Sequence, residues 1–367
     1  MRVLVFHGYL LRGTGSNIYN VNLAQALARL GHEVHLLCQD REVRPQGVHV
    51  HNPDIGGLLP VYVKDPYEGF EVKAFPELTE DELNHYLEAN VEAVRGVAAA
   101  AGGVDLALAN HLVMGPAILA RADVAPFAAK IHGSALEYTV KPHPRFLPYA
   151  RAGMAAANGV LVGSAHTAES LWATLPDLPD LPEKTRLGPP GVDVAQFRPR
   201  GERERLVAFV GKLIVSKGVD LLLAAWPLVH AANPDVRLEV AGFGAYEEGL
   251  RRLLAAIERG DLDDAREVAS LGRALEGGEA GPLPILTAFL DDPPAGYVEM
   301  ARAAAGSVEF VGRLEHDEVA AFLPRAEALV MPSTVPEAFG MVAVEAAACG
   351  TLPISAGHSG MLEVSRQ

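Results

Sequence analysis

The 367-residue chain is poor in cysteine, having only Cys38 and Cys349, and poor in aromatics at 6 %. It is also short of positive charge, with 46 acidic against 31 basic side chains and a net charge of −15. Two cysteines beside apolar residues read as small core fillers in a reducing compartment, not as a disulfide framework or a metal site. The acidic balance argues against a general basic field and so against nucleic acid as partner. A local basic patch that docks on a lipid surface stays compatible with it. No apolar run approaches ~18 residues, and the N-terminus enters the strand-like Val3-Leu4-Val5-Phe6 without an apolar leader. The expectation is a soluble, cytoplasmic protein.

What is present is a strand–helix alternation along the whole chain, the pattern of doubly wound parallel sheets. Strands are expected near Val3–Phe6, Val34–Leu37, Leu106–Ala109, Ala129–Ile131 and Val160–Val162, with helices near Ile18–Leu30, Glu80–Ala101 and Phe146–Ala157. A Pro-rich stretch then leads through Gly191-Val192-Asp193 to Phe197 and a new strand at Leu206, which sets a domain boundary after residue 197. The second half repeats the alternation at Val236–Ala241, Val308–Val311, Ala328–Met331 and Leu352–Ile354. Between about 245 and 305 an added helical pair is expected, on the spacing of Leu250–Ile257 and Ala265–Leu275. Padding, a self-association surface giving a homo-oligomer and an acceptor-binding lid are all open roles for it.

Two segments carry chemistry. Pro332 to Ala346 sets Glu337 and Glu345 eight residues apart around a Phe-Gly turn, with Leu329–Met331 as a strand before it and a helix from Gly340 after it. The backbone N–H groups of Phe339, Gly340 and Met341 then lie at a helix N-terminus, where free donors and the dipole suit a phosphate or sugar oxygen. The plain alternative is one surface Glu and one satisfied helix Glu. Lysine is scarce, yet Lys212 and Lys217 share the loop after Phe209-Val210-Gly211. Two ammonium groups at the carboxyl edge of a parallel strand can neutralise a diphosphate, though a solvated loop would show the same spacing.

Weaker signals surround these. Gly13-Thr14-Gly15 after the first strand invites a dinucleotide fingerprint, but Ile18 stands where a third glycine belongs and Asp40 comes late for the ribose carboxylate. His132 ends a buried strand, where a lone His is more often structural than catalytic. Lys141 to Arg145 forms a basic, Pro-stiffened loop. Asp261 and Asp263 have a metal-like spacing, yet sit in a charged insert that reads as a solvated turn.

The Glu337-x7-Glu345 and Gly211-Lys212-x4-Lys217-Gly218 motifs together resemble the signature of the retaining family-4 glycosyltransferases. That resemblance implies the GT-B fold: α/β, two Rossmann-like doubly wound parallel-sheet domains facing across a cleft and closing on substrate. Residues 1–197 would be the acceptor-side domain. Residues 198–367 would be the nucleotide-sugar-binding domain, with the helical insert at about 245–305 and a C-terminus that family members extend beyond Gln367. By resemblance, Glu337 and the backbone of Ala338, Phe339, Gly340 and Met341 hold the donor sugar, and Glu345 holds the ribose. Lys212 and Lys217 face the diphosphate, Leu314 lies against the base, Gly15 approaches the pyrophosphate, and His132 reaches sugar hydroxyls near the anomeric centre. The implied catalytic set is His132, Glu337 and Lys217, with no metal and no cofactor beyond the nucleoside-diphosphate sugar. The acceptor is a small molecule, a glycan or a lipid. The chain departs from the family in carrying Lys212 for an Arg, His358-Ser359-Gly360 for a Gly-Gly turn, and the insert. The expected activity is metal-independent, retaining hexosyl transfer. A nucleotide-sugar 2-epimerase and a non-catalytic sugar-nucleotide binder are the alternatives.

Overall fold

Short unbroken apolar runs such as Val3-Leu4-Val5-Phe6, buried on both faces, make the central strands of the two larger sheets. In a computed structural model, which describes residues 1–63, 67 and 69–366, the chain divides into two compact units, Met1–Pro190 and Gly191–Gln367. Gln367 itself lies outside the described residues. The first unit holds β1 (Arg2–Phe6), β2 (Glu33–Leu37), β3 (Val48–His51), β4 (Leu58–Val61), β5 (Glu71–Ala74), β6 (Leu106–Asn110), β7 (Phe127–Ile131), β8 (Gly159–Val162) and β9 (Thr185–Leu187). Seven of these make a parallel sheet in the order β3-β2-β1-β6-β7-β8-β9, while β4 and β5 pair separately. Successive side chains point to opposite faces. Val3, Val5, Val34 and Leu36 pack with Ala24 of the helix Gly15–Arg29. Leu4, Phe6, Leu37, Ala107 and Ala109 share a core with Leu83, Leu87 and Val94 of the helix Glu80–Ala100. A capping box starts that long helix: Glu82 N–H donates to Thr79 Oγ1 at 3.2 Å, and Thr79 N–H donates to the Glu82 carboxylate at 2.9 Å.

The second unit holds β10 (Leu206–Lys212), β11 (Arg237–Phe243), β12 (Val308–Gly312), β13 (Ala328–Met331) and β14 (Leu352–Ser355), parallel throughout in the order β12-β11-β10-β13-β14. Leu206, Ala208, Leu329 and Met331 join Phe322, Ala343 and Ala346 in one core, and Phe209, Leu238 and Val240 join Leu223 and Trp226 in another. Phe197 is buried in the first of these cores, its ring 4.9 Å from that of His316. The segment from Gly191 to Phe197 therefore packs with the second unit, whereas the sequence reading ends the first domain at 197.

The insert is more than a helical pair. It forms four helices, Glu247–Arg259, Leu262–Leu271, Pro284–Asp291 and Tyr297–Ala303. Leu250, Leu253, Val268, Leu286, Leu290 and Tyr297 are all buried in the core that contains Trp226. The last two helices are about two turns long, too short for a periodic signal, and one begins at a proline that suits the first helical position. Among the described residues no helix is long and apolar enough to cross a membrane. In both sheets the strand order reverses beside the first strand, at β1/β6 and at β10/β13, and crevices at such reversals lie outside the carboxyl ends of the strands.

Candidate active site

Both chemistry-bearing segments of the second unit converge on its reversal point. β10 delivers Lys212 as its last residue, and the turn Val215–Lys217 follows before the helix Val219–Ala232. β13 delivers the loop to Glu337, and the helix Met341–Ala348 starts after Gly340, whose φ of +92° lies in the left-handed region. The two loops are joined, because Thr334 N–H donates to Ser216 O at 2.9 Å. Lys217 Nζ forms an ion pair with Glu337 Oε1, and Ser333 Oγ donates to the same oxygen at 3.0 Å. Burial works against charging the Glu337 carboxyl, but the Lys217 ammonium outweighs it with help from Ser333 and His358, so its pKa lies below the ordinary carboxylate value. The backbone of Glu337 is held as well: its N–H donates to Ser359 Oγ at 2.9 Å, and its carbonyl accepts Gly360 N–H at 2.9 Å. His358 bonds Ser333 O through Nε2 at 2.9 Å. Ser359 adopts a φ of +56°, a conformation that favours glycine, where the family pattern has a Gly-Gly turn.

Glu345 is buried one turn into its helix and accepts from His316 Nε2 at 3.1 Å. Ala338 and Phe339 are half-buried before that helix, in whose first turn Ala343 N–H donates to Gly340 O at 3.0 Å. Leu314 packs on the core beyond the end of β12, and the Arg313 guanidinium lies 4.8 Å from the Phe243 ring centre. Ser333 and His316 were not singled out in the sequence, and His358 and Ser359 were named there only as a departure from a Gly-Gly turn. Ser333 and His358 lie in the connections that follow β13 and β14, and His316 and Ser359 open the helices His316–Phe322 and Ser359–Ser365.

The first unit gathers imidazoles at its own reversal point. His7 follows β1, His111 follows β6 and His132 follows β7. Asn110 Nδ2 donates to Phe6 O at 3.1 Å, so its Oδ1 is the acceptor for His132 Nε2–H at 2.8 Å. The His132 ring is thereby oriented and carries its proton on Nε2. Burial pushes its pKa well below the ordinary histidine value, with Lys130 and His7 adding to the effect. His7 is fixed the same way: Nε2 donates to Asn17 Oδ1 at 2.9 Å, Nδ1 accepts from Asn20 Nδ2 at 3.1 Å, and burial lowers its pKa to about 4. His111 is buried at a φ of +66°, and its ring centre lies 4.8 Å from those of His132 and Tyr62. Lys130 is buried too, hydrogen-bonded to Gly188 O, and burial lowers its pKa to about 8. Sequence reasoning missed His7, Asn17, Asn20 and Asn110. Their signal was polar residues recurring where a strand end and a helix face would otherwise be apolar.

Several weaker signals resolve into structural roles. Gly15 opens the helix Gly15–Arg29, while Gly13 takes the positive φ. The Asp40 carboxylate accepts from the backbone N–H groups of Leu11, Glu42 and Val43 at 2.8–3.1 Å, so it is a loop anchor and not a ribose ligand in waiting. Arg145 donates to Leu78 O at 2.7 Å, and Lys141 pairs with Glu137 at 2.7 Å. Asp261 caps the helix Leu262–Leu271, and Asp263 pairs with Arg266.

Two parallel-sheet Rossmann-like units, each with polar side chains gathered at the reversal of strand order, define the GT-B class. The chain belongs to glycosyltransferase family 4, whose model matches residues 13–196, and a second model, glycosyl transferases group 1, matches residues 300–367. It is 30 % identical over 361 residues to the D-inositol 3-phosphate glycosyltransferase of Frankia alni, covering 95 % of this chain and 78 % of that protein. It is 33 % identical over 199 residues to the protein of that name from Segniliparus rotundus, covering 50 % of this chain but only 34 % of the relative. Sucrose-phosphate synthase from Thermosynechococcus elongatus shares the fold at a TM-score of 0.60 and 20 % identity, over 98 % of this chain and 82 % of that one. The structure of Anabaena HepE in complex with UDP and glucose does so at 0.60 and 16 %, over 99 % and 82 %.

Proposed function

We propose that this protein is a retaining hexosyltransferase that takes its sugar from a nucleoside-diphosphate sugar and needs neither metal nor cofactor. The observation that carries the proposal is the Lys217–Glu337 ion pair at the carboxyl ends of β10 and β13, beside the N-terminus of the helix Met341–Ala348. Here Lys212, Lys217 and the first-turn N–H groups supply positive charge for a leaving diphosphate, fixed in place before the charge develops. Glu337 orients the donor sugar through hydrogen bonds to its hydroxyls, with the backbone of Ala338 to Met341 beside it. Glu345 takes the ribose, Leu314 the base, and the Gly15 turn the pyrophosphate. His132, neutral and oriented by Asn110, bonds a sugar hydroxyl through Nδ1. The acceptor oxygen forms the new bond to the anomeric carbon on the face from which the phosphate oxygen departs, and the departing phosphate takes the acceptor proton. The UDP named in the HepE structure supports a nucleoside-diphosphate donor, and the names of the two relatives make D-inositol 3-phosphate the first acceptor to try.

The test has two stages. Thermal unfolding against UDP, GDP and ADP identifies the base, since ligand at a hundred times its dissociation constant adds ~2.7 kcal/mol. Acceptor-dependent release of that diphosphate from the matching sugar donor then shows transfer, and Lys217→Met should lower kcat by about 10²–10³. Isomerised donor without acceptor would mean an epimerase. Binding with no turnover on any acceptor would mean a binder.

A further inference from the structure

The three-residue turn Val215–Lys217 carries the ammonium that meets Glu337, and so short a turn has few bonds of its own. Within it Lys217 N–H donates to Ile214 O and Gly218 N–H to Val215 O, both at 3.0 Å. One external tie is the Thr334 N–H bond to Ser216 O. Another comes from the insert: Val215 N–H donates to Glu276 Oε2 at 2.8 Å, across 61 residues of sequence.

Glu276 is well fixed for such a tie. It stands in the turn Arg273–Glu276, which follows the second helix of the insert, and Leu275 of that turn packs against the core containing Trp226. Gly272, at a φ of +51°, bridges to Gly281, and a Cβ at Gly272 would lie 2.0 Å from Gly281 O, so the base of the turn is pinned by backbone contact. Arg273 Nη2 pairs with the other carboxylate oxygen, Oε1, at 2.9 Å, and the Glu276 side chain is 9 % exposed. Each oxygen has one charge-assisted or backbone partner, which sets the orientation of the whole group. The sign of the charge matters as well. A carboxylate beside a loop that binds a diphosphate repels the ligand, so its contribution there has to be geometric.

We propose that Glu276 is a positioning residue, through which the insert holds the Val215–Lys217 turn, and with it the Lys217 ammonium, where a donor diphosphate is bound. This rests on reading the second unit as the donor-binding one. The insert is then part of the framework of the donor site.

The experiment compares wild type, Glu276→Ala, Glu276→Asp and Glu276→Gln in the full chain. It uses whichever of UDP, GDP and ADP shifts the wild type, together with the matching donor sugar. Losing one charge-assisted hydrogen bond should raise the dissociation constant of the diphosphate, and the KM for the donor, about tenfold in Glu276→Ala, with the KM for acceptor unchanged. Glu276→Asp keeps the charge but falls short by one methylene, so it should weaken binding to a similar extent, and it serves if the Ala variant does not fold. Glu276→Gln keeps a carbonyl acceptor at the same reach and should recover affinity to within about threefold. A merely structural role would lower the active fraction, and so kcat, with donor KM unmoved, and that result overturns the proposal. Hydrogen exchange of the peptide spanning residues 213–218, without ligand, separates this failure from that of the donor reading. Faster exchange in the variants while no nucleotide binds any of the proteins overturns the donor reading and leaves the tie to Glu276 standing. Unchanged exchange overturns the tie.

Discussion

Histidine protonation gives the sharpest residue-level consequence. His7, His111 and His132 are held neutral, chiefly by burial, with pKa values below the ordinary 6.5. A group of this kind takes up its proton first in the unfolded chain, so its effect on stability is nil above pH 6.5. It becomes destabilising as pH falls through the window down to the folded value, about 4 for His7. Each such histidine can add a slope of up to about 1.4 kcal/mol per pH unit. Urea midpoints measured from about pH 7 down to about pH 4 should therefore fall steadily, and His111→Phe should make the fall shallower. An unchanged slope would mean that His111 is not kept uncharged. Glu337 acts in a lower window. Its depressed carboxyl pKa contributes stability above the ordinary 4.5 that is lost as pH drops through the folded value.

At the scale of elements, the turn with Lys217 and the loop with Glu337 are pressed together at one point. Gly218 has a φ of +68°, and a Cβ there would lie 2.2 Å from Pro332 O. Gly218→Ala should cost about 1–3 kcal/mol by overcrowding alone, read from the urea midpoint, and should weaken nucleoside-diphosphate binding because the two loops are driven apart. Unaltered midpoint and affinity would mean that the loops adjust independently. The long elements were legible in the sequence because period and caps agree: the helix Glu80–Ala100 has its Thr79–Glu82 box and an apolar stripe. The strands β3, β4, β5 and β9, three or four residues each, and the two short helices of the insert were not legible, whereas β8, β13 and β14, no longer than β3, were. Those that were not legible form because a neighbour supplies the missing hydrogen bonds and apolar contacts, and no local pattern records the neighbour.

For the whole molecule, the donor reading predicts where along the chain a ligand should leave its mark. A nucleoside diphosphate that binds should slow hydrogen exchange in peptides covering Gly211–Gly218 and Ser333–Met341 and leave the edge strand β3 unaltered. Protection confined to the first unit would overturn the assignment. The sequence by itself determined the class of fold, through the alternation of short apolar strands with helices, and it named Lys212, Lys217, Glu337 and Glu345 as a set, because charge and turn residues at fixed spacing are local information. The tertiary structure decided what could not be local. It joined Lys217 to Glu337 across 120 residues, tied Asn110 to His132 and Glu276 to Val215, and turned Asp40 into a loop anchor. Such pairings depend on which strands become neighbours when the sheets close, and that choice is made by burial of the whole core and not by any segment of the chain.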